Sequence, residues 1–145
     1  MEAMRRNGAD FASMHFPVGD EKCNLVVGGF GGDILGLDFP APQRANNNET
    51  THPIAFEANR WYTIRLRVSD DRVEGWIDSD KKIDFERRGR NFASPHFMDA
   101  GWDGPLAAYA WNGAAAIRSI RIRQLKPSLE SRFWPALGVA ASEHR

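Results

Sequence analysis

The sequence has little of what staples, anchors or charges a protein. Cysteine occurs once in 145 residues, as Cys23, which excludes an intramolecular disulfide. Cys23 lies in the apolar run Cys23-Asn24-Leu25-Val26-Val27. It reads as a small buried hydrophobe rather than a catalytic thiol. Excess charge is also lacking: 19 basic residues meet 19 acidic ones, which removes the electrostatic case for nucleic acid or an anionic membrane as partner. No apolar run approaches the ~20 residues of a membrane span, and the first residues carry no signal-peptide pattern. The glycine-rich stretch Gly28-Gly29-Phe30-Gly31-Gly32 has no Lys-Ser or Lys-Thr after it and opens no helical pattern, so it is not a phosphate-binding loop. The four histidines are scattered, and no cofactor is expected. Asp33 and Asp38 could at most lend oxygens to a Ca²⁺ ion.

What the chain does have is alternation. In Trp61-Tyr62-Thr63-Ile64-Arg65-Leu66-Arg67-Val68 the even positions are apolar and most of the odd ones polar, which makes a two-faced β-strand. Asp70-Asp71 is a natural tight turn. A two-residue turn there pairs Val68 with Val73, Leu66 with Gly75 and Ile64 with Ile77 on one face. On the other face it pairs Arg67 with Glu74 and Arg65 with Trp76. A slip of one residue destroys both sets of matches, so the hairpin specifies its own register. Tyr62, Ile64, Leu66, Val68, Val73 and Ile77 are therefore predicted to be core.

Further strands are predicted over residues 11–16, 23–27, 33–39, 82–85, 104–111 and 115–125, with residues 1–6 reading as the end of a strand. The run 23–27 is expected to be buried on both faces. In the last strand the apolar phase changes between Ile117 and Ile120, which calls for a bulge near Arg118-Ser119. Nine Phe and five Trp supply core material. Residues 40–53 form a long polar loop, the kind of segment in which function concentrates. The reading is an all-β, antiparallel β-sandwich over residues 1–125, followed by a tail over 126–145.

Several motifs, taken in order, carry a resemblance. They are Phe16-Pro17-Val18-Gly19-Asp20, the run from Cys23 to Gly32, Asn48-Glu49-Thr50-Thr51, Asn59-Arg60-Trp61-Tyr62, Trp76-Ile77-Asp78 and the run from Ala116 to Arg123. The set resembles the bacterial 3-keto-disaccharide hydrolase family, long catalogued as a domain of unknown function. The resemblance covers roughly residues 1–125. It implies a concanavalin A-like jelly-roll β-sandwich of the lectin and glucanase type, a carbohydrate ligand, and a periplasmic or extracellular setting. It also implies strands preceding Met1, so that the chain is an N-terminally incomplete copy whose open sheet edge invites self-association. Phe30 stands where the family usually has Trp, which weakens a stacking role there.

Ordinary glycoside hydrolysis needs two carboxyl groups ~5–9 Å apart. Glucanases of the implied fold often carry them on one strand as Glu-x-Asp-x-x-Glu, and the stretch from Glu74 to Asp78 has the wrong spacing. A 3-keto sugar is different. Its ketone acidifies the neighbouring C–H, so elimination needs one base and one group that stabilises the enolate. Glu49, His52 and Asp38 are the candidate catalytic bases; as loop groups they could equally cap turns. For sugar contact, aromatic platforms and amides are needed: Trp76, Trp102 and Trp111, with Asn46, Asn47, Asn48 and Asn112. Trp76 has a competing structural role beneath Arg65. The sugar site is expected on residues 46–52 with Trp111 beside them. Three classes stay open: an enzyme on 3-keto-glycosides, a noncatalytic carbohydrate-binding module, and a structural domain of a larger protein.

Overall fold

The computed structural model describes residues 1–39, 43–92 and 106–126. Trp102, part of the strand expected over 104–111 and nearly all of the tail lie outside the described residues. The described residues form ten strands: β1 (Glu2–Gly8), β2 (Ala12–Val18), β3 (Glu21–Gly29), β4 (Ile34–Asp38), β5 (His52–Pro53), β6 (Trp61–Val68), β7 (Arg72–Ile77), β8 (Asp80–Glu86), β9 (Ala107–Tyr109) and β10 (Gly113–Ser119). They make two five-stranded antiparallel sheets, ordered β10-β1-β6-β7-β8 and β5-β4-β3-β2-β9. No helix among the described residues is long and apolar enough to cross a membrane.

The two sheets share one core. Leu25, Val27, Leu35 and Leu37 from one meet Ile64, Val73, Ile83 and Phe85 from the other. Ring contacts join the layers: Phe11 lies 5.2 Å from Phe56, Phe56 5.0 Å from Tyr62, and Phe39 5.3 Å from Phe85. Such tilted and edge-on pairs satisfy the aromatic quadrupoles while burying large area. The fold is an all-β sandwich.

The central hairpin has the register that its alternation dictates, with Ile64 opposite Ile77, Leu66 opposite Gly75 and Val68 opposite Val73. Ser69 N donates to Arg72 O at 2.9 Å, which closes the two-residue turn at Asp70-Asp71. Burial is uneven along that face. Tyr62, Ile64, Val73 and Ile77 are buried, whereas Leu66 and Val68 are only half-buried, because they lie toward the turn. On the outer face Arg65 stacks 3.9 Å above the Trp76 ring, and Glu74 takes ion pairs from Lys81 and Arg67.

β10 pairs with β1, with Glu2 opposite Ser119 and Ala3 opposite Ile117. Arg118 is therefore the extra residue of a bulge, where the change of apolar phase had placed it. The strand ends at Ser119 rather than continuing to 125, and Ile120 and Ile122 are exposed beyond it. β1 is an interior strand, paired with both β10 and β6, and the Met1 ammonium donates to Ile64 O at 2.8 Å.

Candidate functional site

The outward face of the second sheet is polar where an ordinary sheet face would be solvated and charged. Along β2, Ala12, Phe16 and Val18 point into the core; along β3 Cys23, Leu25 and Val27 do so, and along β4 Leu35 and Leu37. By strand alternation Ser13 and His15, Asn24 and Val26, and Gly36 and Asp38 point the other way. Cross-strand register sets His15, Asn24 and Asp38 in one row and Ser13, Val26 and Gly36 in the next. Tyr109 on β9 extends the second row opposite Ser13. Ser13, His15, Asn24 and Asp38 are all buried despite their outward direction.

A cleft of about 440 Å³ runs over these rows, lined on its floor by Ser13, Asn24 and Val26. That volume is of small-molecule size. Strand order places Arg44, Asp38 and Phe30 on the β4 side and Tyr109 and Trp111 on the β9 side. The rim comes from the connections at one end of the sheet: Asp10 between β1 and β2, Phe30 between β3 and β4, and Trp111 between β9 and β10. The two crossings that carry Asp10 and Trp111 run side by side, with Ala9 N donating to Asn112 O at 3.2 Å. Trp111 is 63 % exposed and Phe30 42 % exposed, so both rings are held toward solvent. Phe30 has φ +55°, a left-handed conformation that costs a bulky side chain energy and is held by the glycines around it.

The β4-side wall is built from the loop after β4. Gly36 makes room for it, since a Cβ there would sit 2.7 Å from Ala45 O. With the loop laid on the sheet, Arg44 reaches Asp38 in a two-pronged pair, Nε to Oδ1 at 2.6 Å and Nη2 to Oδ2 at 2.8 Å. Ala45 N also donates to Asp38 Oδ1 at 3.0 Å. The guanidinium then lies 5.6 Å from the centre of the Phe30 ring. Asn48 locks the same loop. Its Nδ2 donates to the carbonyls of Leu37, Gln43 and Arg44, and its Oδ1 accepts from Thr50 N and Thr50 Oγ1.

The residues singled out from the sequence are thus divided. Asp38 and Trp111 line the cleft together. Glu49 and His52 line a different groove, between β5 and β8, with Arg72, Lys82, Asp84 and Glu86, and Glu49 is ion-paired with Arg90. The three candidate bases therefore do not share a site. Asn48 spends its amide inside the loop and has none left for a sugar. Asn47 is exposed on that loop, and Trp76 sits on the outer face of the other sheet under Arg65. Asn112 adopts φ +50° in the β9–β10 connection, where its local role is to turn the chain. Asp38 is held by Arg44 rather than turned toward Asp33. Among the described residues no three His, Cys, Asp or Glu side chains converge as a metal site would require.

Ser13, Asn24, Arg44 and Tyr109 escaped the sequence reading. The signal was present: Asn24 interrupts an apolar run, at the parity opposite to Cys23, Leu25 and Val27. The run is buried on both faces, as expected, and counting Asn24 among its apolar neighbours hid it. Burial raises the Tyr109 phenol above its ordinary range, against hydrogen bonds from Ser13 and Asn24 that lower it, so the hydroxyl stays neutral at physiological pH. Burial likewise pushes the Cys23 thiol up to about 12, in keeping with a core residue. Compared with family models, curated proteins and solved structures, the chain matches none of them.

Proposed function

We propose that this domain binds carbohydrate in the cleft on the outward face of the second sheet, and that it does so as a binding module. One observation carries the reading: a row of buried polar side chains on an outward sheet face, flanked by the exposed rings of Trp111 and Phe30. A sugar ring offers an apolar C–H face to an aromatic platform and hydroxyls to planar polar groups, and the cleft supplies both kinds of partner. Asp38 acts here as a positioning residue, because its carboxylate is spent on Arg44 and Ala45 N. The sandwich is read, in this proposal, as a concanavalin A-like jelly roll, which the chain's repeated passage between the two sheets supports.

The test is an NMR titration of the full chain with a panel of disaccharides. Shifts should gather at Ser13, Asn24, Phe30, Arg44, Tyr109 and Trp111, and Trp111→Ala should weaken binding by about tenfold, the value of ~1.4 kcal/mol in stacking. Shifts gathered at Glu49 and His52 instead would move the site to the other groove.

A second reading, an enzyme on 3-keto-glycosides, rests on the ordered motifs and on one feature of the cleft. Asp38 and Arg44 put a carboxylate and an enolate-stabilising cation side by side. Release of product from a 3-keto-disaccharide, abolished by Asp38→Asn with sugar binding kept, would establish it. Self-association through a sheet edge has its best location at β10, an edge strand among the described residues, where Ile117 is exposed and Ile120 and Ile122 follow. A concentration series in light scattering tests it.

A further inference from the structure

Asn24 holds the one feature of the cleft that its own packing does not explain. It sits at mid-strand in β3, between His15 and Asp38, and is 2 % exposed. Its Oδ1 is buried and has no hydrogen-bond partner. Buried side-chain acceptors are nearly always satisfied, so an unsatisfied one lining a cleft points to a partner that arrives from outside. The other end of the same amide is accounted for, because Ser13 and Asn24 both hydrogen-bond the Tyr109 hydroxyl. Oδ1 is thus the atom of the amide left for a ligand.

The charge of the lining narrows the ligand further. Two carboxylates, Asp10 and Asp38, and one guanidinium, Arg44, face the cleft. Arg44 is bonded to Asp38 through both prongs, and Asp10 Oδ1 accepts from Gly31 N at 3.0 Å. Among the described residues of the lining no second cation answers the Asp10 charge. A ligand bearing a carboxylate or sulfate would meet that charge in a partly desolvated cleft, where like-charge juxtaposition is costly.

We propose that Asn24 is the specificity-determining residue of this cleft, its Oδ1 accepting a hydrogen bond from one hydroxyl of a neutral pyranoside, with acidic sugars rejected. The inference rests on the cleft being the sugar site. A site built to pair with a ligand hydroxyl discriminates strongly against an analogue lacking it, because the protein acceptor is then left unpaired.

The experiment is calorimetric titration of the full chain with cellobiose, maltose and lactose, with the corresponding uronate-containing disaccharides, and with monodeoxy analogues of whichever neutral sugar binds. Wild type should bind at least one neutral sugar about tenfold or more tightly than its uronate. Removal of one particular hydroxyl should weaken binding by about tenfold in wild type and be silent in Asn24→Leu, the double-mutant signature of a direct pair. Asn24→Leu removes the unsatisfied acceptor but also the hydrogen bond to Tyr109, whose hydroxyl keeps Ser13, so it should melt no more than about 3–4 °C below wild type. If Asn24→Leu fails to fold, Asn24→Ser carries the same comparison. Equal affinity for neutral and acidic sugars, or unchanged binding and unchanged deoxy losses in the Asn24 variants, overturns this inference and leaves the sugar site standing. A wild type that binds no sugar of the panel removes the site reading itself, and this inference with it.

Discussion

Replacing Arg44 by Met should destabilise the domain more than replacing its partner Asp38 by Asn. The reason is the asymmetry of the pair: the Asp38 side chain is 2 % exposed and that of Arg44 is 31 % exposed. Arg44→Met removes two of the three hydrogen bonds that the Asp38 carboxylate accepts from described residues, leaving the one from Ala45 N. Breaking a buried pair in this way costs ~3–5 kcal/mol, and the partial exposure of Arg44 draws the value toward the lower end of that range. Asp38→Asn leaves instead a guanidinium that water can reach, at a cost of ~1–2 kcal/mol. For a chain of this size each kcal/mol moves the melting temperature by about 3–4 °C. Arg44→Met should therefore melt ~10 °C below wild type and Asp38→Asn only ~3–8 °C below it. The double variant should be milder than Arg44→Met alone, because a neutral amide at position 38 needs no counter-ion. Thermal melts and urea unfolding of the four proteins give the comparison. An Arg44→Met protein within about 2 °C of wild type, or less damaged than Asp38→Asn, would refute the argument that this pair holds the loop on the sheet.

Ile64→Ala, at a fully buried position of the central hairpin, should cost about 2–5 kcal/mol in urea unfolding. Leu66→Ala, at a half-buried position two residues nearer the turn, should cost clearly less; equal losses would show that burial does not grade along this strand. Cys23 should resist thiol reagents until the domain unfolds, since its thiol titrates only at about 12. It should also make stability fall with rising alkalinity. Between its ordinary value of 9.0 and about 12 the unfolded chain has lost the thiol proton and the folded chain keeps it, so the unfolded state binds fewer protons and stability drops as pH rises. Below about pH 9 the contribution is complete and flat. Urea unfolding of wild type and Cys23→Ala at about pH 8 and about pH 10.5 isolates it, and parallel losses in both proteins would remove Cys23 as the cause.

The fold was legible wherever a short segment carried two independent matches. In the hairpin the apolar pairs and the Arg67–Glu74 and Arg65–Trp76 pairs agree on one register, so local pattern and tertiary structure coincide. The Arg118 bulge was legible for a similar reason, since a change of phase within a strand admits few explanations. The end of β10 was not. Ile120 and Ile122 keep an alternating pattern after Ser119 and yet stand exposed. Alternation states which side chains share a face, and whether a second layer covers that face is decided by residues far away in sequence.

The site was less legible because its parts are polar residues within apolar strands, whose roles depend on which neighbour the sheet supplies. Asp38 looked like a candidate base from composition alone, and only the loop folded over Gly36 reveals that Arg44 occupies it. Asn48 looked like a sugar ligand because amides bind sugars, yet a loop that must lie on a sheet needs its carbonyls answered, and Asn48 answers three of them. Asn24 shows the opposite error. The run Cys23-Asn24-Leu25-Val26-Val27 is buried on both faces, as expected, but a single amide inside it passes for noise when only the apolar residues are weighed. Taken by parity, it is a polar group on the face opposite the core, and burial there needs a reason. His15, Asn24 and Asp38 come from three separate strands, and only the register of β2, β3 and β4 sets them in a row. An isolated polar residue in one strand is ambiguous, whereas three that align across a sheet are recognised as a set only once the register is known.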